Sequence, residues 1–194
     1  MNFTNLKNSS STQKLVFTAI MAGIAFLLNF IEIPFMVPYL KLDISEAIVI
    51  ITVMLLGLKY GLMVSIIKAL LFYLFGANGS EIIGCSILLL SSCFLATIFY
   101  LVNSLFTKLF KNNTIKFIIT FLIIAFIYAS ALSLLNYRIT VPLYSGVSFE
   151  TINKPGYLAS IFALYFPFNI IKIALVSVVV ILFNKLFLKR NMNE

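Results

Sequence analysis

The residues of this sequence that could do chemistry are a few polar side chains inside long apolar runs. Lys172 lies roughly four helical turns into the last run, and Asn169 precedes it by three residues, so both point to one side of a helix. Asn136 lies near the end of the preceding run, and Lys68 is central in an earlier one. Amides and ammonium groups donate to carbonyl oxygens, and amides also accept from N–H groups. These side chains predict either hydrogen bonds between helices or recognition of a polar ligand.

The elements that hold these side chains are those of a membrane protein. Of the 194 residues, 62% are apolar and 10% are charged, and the mean hydropathy is +1.10. A soluble domain has about a quarter charged residues and could not bury so much apolar surface. The composition excludes an ordinary soluble enzyme, a disordered tail and a nucleic-acid-binding module. The lack of histidine also excludes His-based catalysis and His-ligated metal sites.

Six apolar runs approach or exceed the length needed to cross about 30 Å of hydrocarbon. They cover residues 14–32, 45–57, 60–76, 81–106, 115–137 and 158–187. The sequence therefore predicts an all-α integral membrane protein with a bundle of six transmembrane helices over residues 14–188, flanked by polar tails at 1–13 and 189–194.

Two local patterns refine the second run. Gly57 and Gly61 separate it from the third run and predict a tight helical hairpin. Asp43-Ile44-Ser45-Glu46 at its start is a capping-box pattern, in which Asp43 caps amide donors and Glu46 reaches back.

The charge distribution orients the bundle, because basic residues concentrate on the cytoplasmic side of membrane proteins. With the N-terminus inside, nine of the fourteen basic residues are cytoplasmic: Lys7, Lys14, Lys59, Lys108, Lys111, Lys116, Lys185, Lys189 and Arg190. Five of the six acidic residues then fall near the outer face: Glu32, Asp43, Glu46, Glu81 and Glu150. The sequence predicts that both termini are cytoplasmic, and the net charge of +8 reflects this orientation.

Three outer connections are irregular. Residues 33–43 contain two prolines yet are apolar, so this segment is either an interfacial loop or a lid over a pocket. Residues 76–81 lead to Gly84, which either packs against a helix or lets a ligand approach the backbone. Residues 137–157 form a third connection of about twenty residues, a length typical of functional loops.

The first run carries small residues at Ala19, Ala22 and Gly23. Ala19 and Gly23 are one turn apart and predict a close helix contact, either within this chain or with another subunit.

Several absences disfavour an independent transporter. The sequence has no phosphate-binding G-x-x-x-x-G-K-[ST] motif, so the chain does not hydrolyse ATP alone. We find no pair of inverted halves of the kind that secondary transporters contain. These features favour a capture subunit that is powered by other proteins.

Three segments carry a family resemblance: Pro38-Tyr39-Leu40-Lys41-Leu42-Asp43, Leu135-Asn136-Tyr137 with Pro142-Leu143-Tyr144, and Pro167-Phe168-Asn169-Ile170-Ile171-Lys172. With its six spans, the chain resembles the substrate-binding S components of energy-coupling factor (ECF) vitamin transporters, most closely the riboflavin-specific members.

The resemblance implies a site and partners. It implies capture of riboflavin, as transported substrate rather than cofactor, in an outer cavity closed by the first loop. The implied contacts are backbone at Leu40 and Gly84 and side chains at Asn136, Asn169 and Lys172. It further implies that Ala19, Ala22 and Gly23 face a transmembrane coupling protein, which works with two cytoplasmic ATPases. The resemblance also implies a location in the bacterial plasma membrane, with no enzyme activity and no bound metal. The alternatives are an S component for another small vitamin and a non-catalytic structural membrane subunit.

Overall fold

The apolar runs form six helices in the computed structural model, which describes residues 9–76, 82–109, 113–146, 154 and 156–188. These helices are α1 (Ser11–Leu28), α2 (Ser45–Leu56), α3 (Leu58–Phe75), α4 (Ile82–Leu109), α5 (Asn113–Leu135) and α7 (Tyr157–Phe183). A π-helical turn at Asn136–Thr140 connects α5 to the short helix α6 (Val141–Ser145), and another at Asn184–Leu188 extends α7. The predicted all-α membrane fold is confirmed, although α1 begins three residues earlier than predicted.

Helix length separates α2 from its neighbours. Five described helical stretches are long and apolar enough to cross a membrane, whereas α2 has only 12 residues. At 1.5 Å per residue α2 is about 18 Å long, well short of a bilayer's hydrocarbon core. Ala47, Val49 and Ile50 on α2 have no exposed surface, whereas the long helices expose large apolar side chains such as Leu122 and Phe126. The short helix therefore forms the centre of the bundle, and the long helices form its lipid-facing wall.

The predicted helical hairpin between α2 and α3 is confirmed. A single residue, Gly57, connects the two helices with φ +97°, a conformation that favours glycine. Gly61 then lies against α2, because a Cβ added there would come within 2.2 Å of a Val53 methyl group. The two glycines let α3 fold back directly onto the central helix.

The capping box predicted at the start of α2 is wrong. Asp43 does accept a hydrogen bond from the Ser45 backbone N–H at 3.0 Å, but Glu46 does not reach back. Glu46 instead has no exposed surface and pairs with Lys68 of α3 at 2.9 Å. The Glu46 carboxylate therefore lies inside the bundle and bridges α2 to α3 rather than closing the start of its own helix.

The first outer connection forms an antiparallel β-hairpin, which the sequence did not predict. Its strands are β1 (Ile33–Phe35) and β2 (Val37–Leu42), and Met36 at the turn has φ +65°. In a two-stranded sheet each strand has a free edge, so the prolines at 34 and 38 are compatible with it. Leu40 and Leu42 are buried and pack with Tyr165 and Phe168 of α7. These side chains thus anchor the hairpin on α7.

The other two connections are only partly described. Residues 77–81 of the second lie outside the described residues. The third connection was predicted as a loop from residue 137, but its first part is helical as far as Ser145. Gly146, with φ +63°, caps this helical part. The prediction is wrong there because Pro142 is accepted in the first turn of α6, where its missing N–H needs no partner. Residues 147–153 and 155 lie outside the described residues.

Candidate functional site

A cavity of about 800 Å³ lies at the end of the bundle that the β-hairpin covers. The C-terminal ends of α1 and α3, the start of α4, the end of α5 and the middle of α7 contribute to its wall. All five residues that the sequence assigned to a ligand line it: Leu40, Gly84, Asn136, Asn169 and Lys172. Residues up to 132 positions apart in the chain thus meet around one space, whose size suits a small organic ligand.

The two asparagines are held by their own helices. Asn169 Nδ2 donates to the Tyr165 carbonyl at 2.8 Å, and Asn136 Nδ2 donates to the Leu132 carbonyl at 2.7 Å. Both side chains are buried. Since one amide hydrogen is committed in each case, the Oδ1 acceptor and the second amide hydrogen have a fixed orientation at the cavity wall. This arrangement can recognise a ligand edge that contains both donors and acceptors.

Irregular helix geometry accompanies both asparagines. Asn136 opens the π-helical turn, where its carbonyl accepts from the Val141 N–H. Pro167 lies inside α7 two residues before Asn169, and proline cannot donate to the carbonyl of the preceding turn. Such interruptions of a helix are frequent at functional sites. A π turn and a helix-internal proline thus lie next to the two asparagines at the cavity wall.

Lys172 is paired across the cavity wall with Asp43. The ammonium lies 2.7 Å from Asp43 Oδ2, and the side chains are 12% and 8% exposed. The other carboxylate oxygen of Asp43 accepts from both the N–H and the hydroxyl of Ser45. Burial raises the pKa of the Asp43 carboxyl, but the charges of Lys172 and Lys68 outweigh it, so the pKa lies below its ordinary value. Asp43 is therefore a carboxylate at neutral pH.

The remaining wall is largely apolar and aromatic. Its apolar and aromatic members on the long helices are Phe72, Ile87, Leu88, Tyr128, Leu132, Tyr165 and Phe168. Gly84, in the first described turn of α4, leaves room for Tyr144, whose hydroxyl would lie 3.1 Å from a Cβ added to that glycine. Aromatic and aliphatic faces of this kind cover the faces of a flat ring system.

Sequence reasoning missed three polar features of the cavity. Asp43 was interpreted as a helix cap, and the rim ion pair between Lys41 and Glu32, at 2.5 Å, was not foreseen. Thr140 also lines the cavity, and its buried Oγ1 has no hydrogen-bond partner among the described residues. The sequence did offer one signal for the role of Asp43. Lys172 lies within an apolar span, and a lysine there needs a partner of opposite charge.

Lys68 lies below the cavity and does not line it. Its ammonium contacts Glu46 at 2.9 Å and the Ser45 hydroxyl at 3.3 Å, while Ser92 donates to the other Glu46 oxygen at 2.6 Å. Of the two alternatives that the sequence left open for Lys68, the structure shows polar contacts between helices, with an acidic side chain as the main partner.

The small residues of α1 divide between two faces. Ala22 has no exposed surface and belongs to the buried stripe with Thr18, Met21 and Ala25. Ala19 is exposed and Gly23 is half-buried, with nothing within 4 Å of a Cβ added at Gly23. Only Ala19 and Gly23 therefore offer a shallow outer surface on this helix.

Comparison with known proteins places this fold. The family model for the ECF transporter, substrate-specific component, matches residues 13–183. The chain belongs to this family. It is 35% identical to the riboflavin transporter RibU of Staphylococcus aureus (strain TCH60), over 98% of this chain and all of that protein. It is 29% identical to the riboflavin transporter FmnP of Bacillus subtilis (strain 168), over 91% of each.

A solved structure agrees with the sequence comparison. The S component of a bacterial ECF transporter superposes with a TM-score of 0.72 at 29% identity, over 91% of this chain and 95% of that one. The resemblance inferred from the sequence is thus confirmed. The protein is a substrate-binding S component, a multi-pass transport protein of the bacterial cell membrane that works with an ECF module, and not an enzyme.

Proposed function

We propose that this S component captures riboflavin in the described cavity. The observation that carries the proposal is the convergence of Leu40, Gly84, Asn136, Asn169 and Lys172 on one space. These are the positions that the resemblance to riboflavin-specific S components implies as ligand contacts. The names of the relatives, which are riboflavin transporters, support the same substrate.

The chemistry of the wall suits a flavin. The pyrimidine edge of the isoalloxazine ring alternates carbonyl acceptors with an N–H donor. Two oriented amides and the ammonium of Lys172 can match this alternation. Phe72, Tyr165 and Phe168 can cover the ring faces.

The proposal includes an orientation and partners. The distribution of basic residues supports cytoplasmic termini, which makes the hairpin-covered end the outer one. In this orientation β1 and β2 act as the lid of an outward-facing pocket. A transmembrane coupling protein and two cytoplasmic ATPases then supply the energy for uptake, because this chain has no nucleotide-binding motif of its own.

Riboflavin binding is the first prediction. The purified protein in detergent is expected to bind riboflavin saturably, which flavin fluorescence and the visible spectrum measure. Asn169→Ala removes neutral hydrogen bonds, each of which contributes about 0.5–1.5 kcal/mol, so affinity should fall roughly threefold to tenfold or more. Ser130→Ala on the exposed side of α5 is the control, because its hydroxyl donates only to the Phe126 carbonyl. Saturable binding of a different vitamin without riboflavin binding would favour the alternative of an S component with another substrate.

Gly84 provides a steric prediction. Alanine there places a methyl group 3.1 Å from the Tyr144 hydroxyl, which must move back by a few tenths of an ångström. The methyl group also obstructs the proposed backbone contact, and loss of one hydrogen bond predicts an affinity reduced roughly twofold to tenfold. Gly23→Ala is the matched control, since that site has open space. Equal riboflavin affinities of the two variants would contradict a ligand contact at Gly84.

A further inference from the structure

The positive and negative charges of the side chains that line the cavity are equal in number. Among the described lining residues, the charged ones are Glu32, Lys41, Asp43 and Lys172, two of each sign. They form two ion pairs, Lys41 with Glu32 and Lys172 with Asp43. Below the wall, Lys68 and Glu46 also form a pair. The cavity therefore has little net charge despite the net charge of +8 on the chain.

The two lining pairs differ in their surroundings. Lys41 is 50% exposed and Glu32 27% exposed, so water and salt screen this pair. Asp43 and Lys172 are almost buried, and Coulomb interactions are several times stronger where water is excluded. The inner pair therefore determines the electrostatic environment of a bound ligand.

Asp43 also fixes the position of the lysine. Ser45 holds the carboxylate by a backbone and a side-chain hydrogen bond, and the carboxylate in turn holds the Lys172 ammonium at 2.7 Å. An ammonium has three donors, and the contact with Asp43 uses one of them. The remaining donors can serve a neutral acceptor such as a carbonyl oxygen, while the carboxylate repels a second anion.

We propose that Asp43 is a positioning and specificity-determining residue, which holds Lys172 at the cavity wall, cancels its charge and makes the site select neutral over phosphorylated ligands. This proposal rests on the proposed riboflavin function. Riboflavin is neutral, whereas its 5′-phosphate carries roughly 1.5–2 negative charges at pH 7. An unpaired Lys172 would attract that phosphate, and the Asp43 carboxylate removes the attraction.

The test compares affinities for riboflavin and riboflavin 5′-phosphate in the purified full-length protein. For Asp43→Asn the preference for riboflavin, measured as the ratio of the two dissociation constants, should fall roughly tenfold. Lys172→Gln leaves the carboxylate uncompensated and should shift the ratio in the opposite direction. Glu32→Gln makes the same change in charge as Asp43→Asn at the exposed rim and should change the ratio less than about threefold.

Shifts of the ratio in opposite directions distinguish a charge effect from general damage to the cavity. General damage would lower the affinities for both ligands by the same factor. If Asp43→Asn does not fold, the Lys172→Gln ratio alone decides. An unchanged ratio in the folded variants overturns the role of Asp43 while riboflavin binding by the wild type keeps the proposed function. Lack of riboflavin binding by the wild type overturns both.

Discussion

Replacement of Lys68 by methionine is expected to lower the free energy of unfolding by about 3–5 kcal/mol, because it leaves a buried carboxylate without its partner. Lys68 and Glu46 have no exposed surface, and the pair joins α3 to the start of the central helix α2. Ser92 of α4 donates to the same carboxylate. Thermal or denaturant unfolding in detergent measures the effect.

Two further variants test this explanation. The double variant Lys68→Met with Glu46→Gln removes both charges and should recover most of the stability, since replacing a whole buried pair is often neutral. Lys41→Met is the matched control, because it breaks an exposed pair that is worth at most about 1 kcal/mol. If Lys68→Met and Lys41→Met were equally stable, the pair below the cavity would not hold the bundle together.

The second large effect is expected on transport rather than on folding. Ala19→Leu enlarges a small exposed residue on α1 and should abolish riboflavin uptake by cells that also produce the ECF module, while riboflavin binding by the purified protein is unchanged. The physical reason is that Ala19 and Gly23 form a shallow surface on which a partner helix can approach closely. We propose that this surface meets the coupling protein, as the family resemblance implies for Ala19 and Gly23.

The control for Ala19→Leu is Ala174→Leu, which makes the same change at an exposed position in the middle of α7. Uptake by this variant should be normal, since a leucine there faces lipid. Normal uptake by Ala19→Leu would place the coupling surface elsewhere, and a parallel loss of binding would show that the substitution disturbs the fold.

The sequence alone was sufficient for the fold class and for much of the candidate site. Hydropathy is a property of each residue and predicts which segments lie in lipid. Six apolar runs could therefore be located without knowledge of how the helices pack. Asn136, Asn169 and Lys172 were identifiable because polar side chains are rare and costly inside such runs. The glycines at 57 and 61 likewise predicted the tight turn between α2 and α3, because such a turn depends mainly on the residues within it.

The tertiary structure alone decided what the acidic residues do. Asp43 and Glu46 have the spacing of a helix cap, and the sequence places them at the edge of a span. Their partners, Lys172 and Lys68, are 129 and 22 residues away. Which lysine each carboxylate meets depends on how deep the short helix α2 lies among the longer ones. That depth is a property of packing, and no local pattern in the sequence records it.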